Sequence, residues 1–374
     1  MAREDQGGEM QRLVAQILRP EFALGAALFF MLALAAGAAH AESAEEFYRG
    51  KTIQILIGAD VGGGYDINAR LVARHIGKYM PGNPAFLPVN MPGGGSLRAA
   101  NYVYNVSPHD GTVLGAPSRG IVTMPLMGID AAKFDMTKFS WIGSVTNEDS
   151  VCIALSSTKV KSWDDLLAHK VIVGGSAPGS DTYTNAVMIR NLLGAQLELV
   201  SGYPGGKEVQ LALEKGEVEA ECGSYSSLKT EQPGWIRDHR VNFLVTIGFT
   251  RDPDLPQVPT VMELAKSETQ KKIFTIIMAQ QRAGRPILAP PGLPPDRLEA
   301  LRRAFDQTVK DPEFLADAKR IGLEVNPAGG VELQQLMTEI YASPPGIVER
   351  AKRAVEKPED MAKIRKELAA EEAQ

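Results

Sequence analysis

The sequence predicts an α/β protein of two lobes, and three observations carry that reading. From residue 51 onward, short apolar runs of β-type composition alternate with stretches of helical periodicity. Alternation of this kind is the pattern of parallel sheets with helices on both faces. The runs are too many for one comfortable sheet, and a chain of 374 residues has ample length for two lobes.

Each element has its own signal. TIQILIG (52–58) reads as a buried strand, and INARLVARHIGKY (67–79) as a helix with Ile67, Leu71 and Ile76 on one face. AFLPVN, a glycine turn and LRAANYVYNV repeat that unit, and TVLGA (112–116) is a third strand. A hinge-like stretch is expected near WIGSV, with the strand VCIALSS after it. Ser162-Trp-Asp-Asp165 then opens a helix with a capping box. VIVGG (171–175), LELVSGY (197–203), VEAEC (218–222) and VNFLVTIG (241–248) are further strands. The last third turns helical, with prolines 294 and 295 at a helix start, where a missing N–H costs little. The expected division is lobe 1 from 42–148 with 268–345, lobe 2 from 149–267, and a charged helix or tail over 346–374.

Composition excludes several functions. A formal charge of −5 with no basic stripe argues against a nucleic-acid surface. FALGAALFFMLALAAGAA (22–39) follows Arg3, Arg12 and Arg19 and ends in Ala39-His40-Ala41, the pattern of an export signal over 1–41 cleaved after Ala41. Acidic residues in its first part leave Met10 as an alternative start, and an uncleaved anchor is the other reading of so apolar a run. The mature chain is expected in the periplasm of a Gram-negative-type cell, as a monomer. Cys152 and Cys222 each sit in a short apolar run, and export permits a disulfide between them. Two buried thiols remain equally open.

Catalytic machinery is not visible. Gly62-Gly63-Gly64 lacks the later glycine of a dinucleotide fingerprint, and the chain has no P-loop, no G-x-S-x-G elbow and no HExxH. Its five histidines are scattered. No carboxylate stands out as paired in an apolar setting that would raise its pKa. No metal or cofactor is expected. What remains is backbone geometry. IQILIGADVGGGYDINARLV runs a strand into a glycine loop and a helix, which leaves N–H donors and the positive end of a helix dipole facing outward. VIVGGSAPGSDTYTNAVMI repeats the arrangement from Gly174. Two such loops, one per lobe at strand ends, suit a cleft that grips an anion. The alternative for either loop is a tight turn with Asp66 or Asp181 as a helix cap.

Several further motifs follow in order. They are Asn90-Met91-Pro92-Gly93-Gly94-Gly95, Ser107-Pro108-His109-Asp110-Gly111-Thr112, and Tyr203-Pro204-Gly205-Gly206 with Gly216-Glu217-Val218-Glu219. Val258-Pro259-Thr260-Val261-Met262-Glu263 and Ala289-Pro290-Pro291-Gly292-Leu293-Pro294 complete the series. Together with Gly62-Gly63-Gly64-Tyr65-Asp66 and Arg70, from about residue 47 to 345, they resemble the tripartite tricarboxylate transporter substrate-binding proteins, the Bug or TctC family. The resemblance implies a two-lobed type II periplasmic-binding-protein fold with hinge crossover strands. It implies a small organic anion, a carboxylate, between the lobes, and as partners a large and a small integral membrane transporter subunit. The carboxylate would be held by Val61, Gly62, Gly63, Gly64, Tyr65 and Asp66 on one side. Ser176, Pro178, Gly179, Ser180, Asp181 and Tyr183 would face it from the other. Ser118, Arg119 and Tyr203 are further candidate ligand-binding residues, with Arg119 open to a bidentate carboxylate pair or to a lobe–lobe salt bridge. Ser224, Tyr225 and Ser226 could add hydroxyls.

The chain departs from the family pattern in places. Gly58-Ala59-Asp60-Val61 replaces a proline and an aromatic residue, and Asp60 beside an anion site is unfavourable unless it turns away or meets a cationic part of the ligand. Tyr183 stands where a histidine is common. Rival readings are a ligand-sensing input to a signalling receptor and an exported enzyme acting on a carboxylate.

Overall fold

The structure, a computed structural model, describes residues 42–356. The expected export signal lies outside the described residues. Among the described residues no helix is long and apolar enough to cross a membrane.

Two sheets form the framework. The first holds six strands in the order β11-β4-β10-β3-β1-β2. Here β1 is Thr52–Ile57, β2 Ala85–Asn90, β3 Val113–Ala116, β4 Ser140–Ser144, β10 Pro286–Ala289 and β11 Ala328–Gly329. The second holds five in the order β7-β6-β8-β5-β9. In it β5 is Ser150–Leu155, β6 Val171–Gly175, β7 Leu197–Ser201, β8 Ala220–Ser224 and β9 Val241–Ile247.

The sheets are mixed, not purely parallel as expected. β1 runs parallel to β2 and β3, and β6 runs parallel to β7 and β8. β10 is antiparallel to β3 and β4, and β5 is antiparallel to β8 and β9. The reason lies in connectivity. β5 is the strand by which the chain enters the second sheet, and β10 the strand by which it returns to the first. Each is inserted beside the third parallel strand of its new sheet, so the two lobes have the same order of a parallel trio and an antiparallel crossover strand. Alternating hydrophobicity cannot report that reversal, because a strand buried on both faces has the same composition in either direction.

The crossovers touch where they pass between lobes. Val145 N–H donates to Arg285 O at 3.1 Å, and Glu148 N–H to Gln281 O at 3.3 Å. Residues 145–149 and 281–285 are thus the paired hinge segments.

Packing follows the sheets, with two departures. The helix Glu268–Met278 buries Ile273, Phe274 and Ile277 in the same cluster as Val173, Met188 and Val245 of the second sheet's lobe. The helix Pro345–Ala354 adds Ala351 and Ala354 to that cluster. Residues 268–278 were expected in lobe 1 and residues 346–374 as a charged, solvated helix or tail. Instead both segments bury apolar faces against lobe 2.

Cys152 and Cys222 lie opposite each other in the β5–β8 ladder and are disulfide-bonded. The helix predicted at Ser162 begins there, with the Ser162 hydroxyl accepting from Asp165 N–H. Pro295 occupies the first turn of the helix Pro295–Thr308, which buries Leu301 and Phe305.

Candidate functional site

β1 and β6 occupy matching positions in the two sheets, each in the middle of its parallel trio. Their C-terminal ends carry the two glycine loops and face one another across the cleft, the position at which open α/β sheets hold ligands. The lobes are closed on each other there. Lys207 Nζ donates to Val61 O at 3.2 Å, and the Tyr65 hydroxyl stands 3.5 Å from Asp181 Oδ2. They enclose a cavity of about 70 Å3.

The first loop leads into the helix Gly64–His75, whose cap residue Gly63 supplies no side chain. Helix geometry leaves the first-turn N–H groups without intrahelical acceptors. Gly63, Gly64 and Tyr65 line the cavity. Gly62 does not, and its φ of +82° is a left-handed turn that favours glycine. The Gly62 N–H donates to Asp66 Oδ2 at 2.8 Å, and Asp66 in turn receives Arg70 Nε at 2.8 Å and Asn90 Nδ2 at 2.8 Å. Asp66 is therefore a buried brace for the loop, away from the cavity. Val61 points outward, 65% exposed.

The second loop presents hydroxyls. Ser176, Ser180, Asp181 and Thr182 line the cavity. Ser176 Oγ donates to Ser180 Oγ at 2.7 Å, Ser176 N–H donates to Thr182 Oγ1 at 3.0 Å, and Ser180, not Asp181, is the cap of the helix Asp181–Leu193. Pro178 is exposed and outside the cavity. Gly179, at φ +85°, turns against Met124 and brings its carbonyl to Gly120, so it is a lobe–lobe contact. Tyr183 is buried behind Gly175, and Tyr203 packs on the cluster around Trp235. Neither reaches the cavity.

Ser118 lines the cavity, but Arg119 does not. The Arg119 side chain is fully buried and spent on the chain itself. Its Nη1 donates to Glu148 O at 2.7 Å, and its Nε lies 3.4 Å from Asp181 Oδ2. Its backbone N–H donates to the Tyr65 hydroxyl at 3.1 Å. Of the two readings open for Arg119, the lobe–lobe ion pair is the one realised. Glu148 is also clamped by Arg285, Nε to Oε1 at 3.1 Å, with the Arg285 guanidinium 4.4 Å from the centre of the Tyr65 ring.

At the other end of the cavity sequence reasoning singled out Asp60 and missed the rest. Asp60, Glu208, Gln210, Glu221 and Glu231 line it, together with Lys207. Asp60 Oδ2, Glu208 Oε2, Gln210 Oε1 and Glu231 Oε2 are buried atoms with no hydrogen-bond partner. Burial pushes the Glu221 carboxyl well above the usual range, and Glu231 and Asp181 add to the shift. Burial also raises Glu231, against the pull of Arg285 and of the Gly64 N–H that faces it. The expectation that no carboxylate sits in a pKa-raising environment is thereby corrected. A signal was present. Glu221 lies in β8 (Ala220–Ser224), every residue of which is buried, between Gly174 of β6 and Ile153 of β5. An acid in a central, wholly buried strand has no solvent face to turn to.

The cavity can therefore do two things at once. One rim offers helix-terminal N–H groups and hydroxyls, the other unpartnered acceptors.

The profile of the TctC family, described as the tripartite tricarboxylate transporter family receptor, matches residues 69–352. The "UPF0065 protein in the TAR-I ttuE-ttuC' intergenic region" of Agrobacterium vitis is 26% identical over 75% of this chain and 77% of its own length. The "UPF0065 protein in gbd 5'region" of Cupriavidus necator is 24% identical over 85% of this chain and 93% of its own. Among solved structures, the periplasmic binding protein BugD superposes with a TM-score of 0.66 at 22% identity, covering 83% of this chain and all of its own. MatC of Rhodopseudomonas palustris, solved with bound malate, gives 0.65 at 20% identity over 82% of this chain and 99% of its own. These structures fix the two-lobed binding-protein fold, and the family is one of solute receptors, not enzymes. On the strength of the family profile, which spans most of its length, the chain belongs to the tripartite tricarboxylate transporter receptor (TctC) family.

Proposed function

We propose that this protein is an extracytoplasmic solute receptor that closes on a small organic carboxylate and delivers it to a membrane transporter of one large and one small integral subunit. The observation that carries the reading is the cavity between the lobes, lined by the first turn of the Gly64–His75 helix on one side and by the Ser176–Thr182 hydroxyls on the other. Anions gather at such helix starts without any charged side chain. Ligand closure then brings the second loop onto the first, with the hinge at 145–149 and 281–285. MatC with malate and the R. palustris protein Rpa4515 with adipate are the same fold holding carboxylates. They support the class of ligand and leave its identity to this chain's own cleft. The periplasm is the proposed location, and residues 1–41 the proposed export signal.

Thermal unfolding against a panel of mono-, di- and tricarboxylates, amino acids and aromatic acids tests this. A ligand at a hundredfold excess over its Kd stabilises by about 2.7 kcal/mol. A clear rise in Tm with at least one acid, lost when Gly63 carries a bulky side chain, is expected. A flat response across the panel would defeat the receptor reading.

A further inference from the structure

We propose that the cleft selects a small carboxylate that also bears a protonated amine, and that Glu221, Glu231 and Gln210 receive the amine. The proposal rests on the receptor reading above and specifies its ligand.

The argument is one of unmatched acceptors. Gln210 is 2% exposed and Glu221 3% exposed, and both line the cavity. Gln210 Oε1 has no donor, and the same is true of Glu208 Oε2, Glu231 Oε2 and, from the opposite lobe, Asp60 Oδ2. Buried acceptors of this kind are costly unless a donor meets them. The two guanidiniums nearby are ion-paired within the protein and do not line the cavity, although Arg119 Nε, Arg285 Nε and Arg285 Nη1 make no hydrogen bond. Arg119 is held by Glu148, Ser150 and Asp181, and Arg285 by Glu148, Ser224 and Ser227. Lys207 reaches across the cleft mouth to Val61 O. Carboxylates therefore outnumber available cations along this wall, and a second ligand carboxylate placed there would meet like charge. An ammonium group supplies three donors and the missing positive charge. The Asp60 that is unfavourable beside a pure anion site finds its partner in the same way.

Size narrows the class. A cavity of about 70 Å3 has room for only a few water-sized groups. Short-chain acids such as β-alanine and γ-aminobutyrate are therefore the ones to test.

The test uses matched pairs measured by calorimetry on the intact protein: β-alanine with propionate, and γ-aminobutyrate with butyrate and succinate. The amine-bearing member of each pair should bind at least tenfold more tightly. Glu221→Gln and Glu231→Gln, which keep shape and remove the ionisable carboxyl, should each shrink that preference tenfold or more. Succinate or propionate binding as well as its amine-bearing counterpart would overturn the proposal and leave the receptor reading standing, as would a preference that survives both substitutions. Ethylamine or putrescine binding as tightly as the amino acids would uphold amine recognition and sink the carboxylate reading instead. No binding by any member would overturn the proposal, and the receptor reading would then stand or fall on the wider acid panel above.

Discussion

Gly120 offers a direct way to hold the lobes apart. It lies in the short turn Arg119–Val122 that follows β3, and it is buried against the second lobe's glycine loop. A Cβ placed on it would sit 2.7 Å from Gly179 O, 3.2 Å from Ser180 Cα and 3.3 Å from Asp181 N, all backbone of the opposite lobe. Ordinary contact distances demand that the lobes separate locally by about 0.7 Å, since no flexible side chain can absorb the clash. Overpacking of this kind costs about 1–3 kcal/mol. The cost falls on the closed state alone, because in an open cleft Gly120 no longer faces Gly179. Gly120→Ala should then weaken ligand binding by about 5- to 150-fold, leave the ligand-free Tm unchanged, and raise the ligand concentration needed for compaction in X-ray scattering by the same factor. Gly346→Ala, where a Cβ meets nothing within 4 Å, is the control. Wild-type affinity in Gly120→Ala would refute the reasoning, and so would a ligand-free Tm that falls along with it.

Three other outcomes follow from the hinge and the second sheet. Glu148→Ala strips two buried guanidiniums, Arg119 and Arg285, of their shared carboxylate, and urea unfolding should record a loss of about 3–5 kcal/mol. Asp149, pushed up to about 6 chiefly by burial, binds its proton more tightly folded than unfolded. Its contribution is therefore full below pH ~4 and lost as pH rises through 6. Asp149→Asn should remove up to about 3 kcal/mol of stability loss between pH 4 and pH 7, less in proportion to its partial exposure, and identical pH profiles for the two proteins would contradict this. Reduction of the Cys152–Cys222 bond frees a span of 70 residues and should lower stability by about 4 kcal/mol on the chain-entropy estimate, measured by denaturation with and without dithiothreitol.

What the sequence made legible was local. The strand, glycine turn and helix units at 52–75 and 171–193 are readable because apolar runs and glycine-rich turns report backbone conformation directly. The prolines of 294–295 and the Ser162 cap are readable for the same reason. The reversal of β5 and β10 is not, because direction in a buried strand leaves no mark on composition. Arg119 shows the same limit at the site. Its position after β3 suggests a ligand partner, but its real partners, Glu148, Ser150 and Asp181, come from segments that only the fold brings together. The acceptor wall was half visible. Asp60 stands out beside the glycines, whereas Glu221 and Glu231 enter the cavity only once β8 and the helix after it are placed opposite the first loop.

That wall also bears on how closure is controlled. Asp60 belongs to the first lobe, and Glu208, Glu221 and Glu231 to the second, so closing the cleft brings like charges together. Two unit charges about 6 Å apart at an effective dielectric near 20 repel by about 3 kcal/mol. A ligand without a cation leaves that cost in place, whereas an ammonium cancels it at the moment the lobes meet. Selection would then act on closure itself, since a ligand shifts the equilibrium only by its differential affinity for the closed form. It follows that Glu208→Gln, with one repelling charge removed, should be more compact than the wild type in ligand-free X-ray scattering at low salt, and the difference should shrink as salt screens the wild-type repulsion. Equal dimensions at every ionic strength would mean that the acids are neutral in the closed form and that closure is governed by the glycine loops alone.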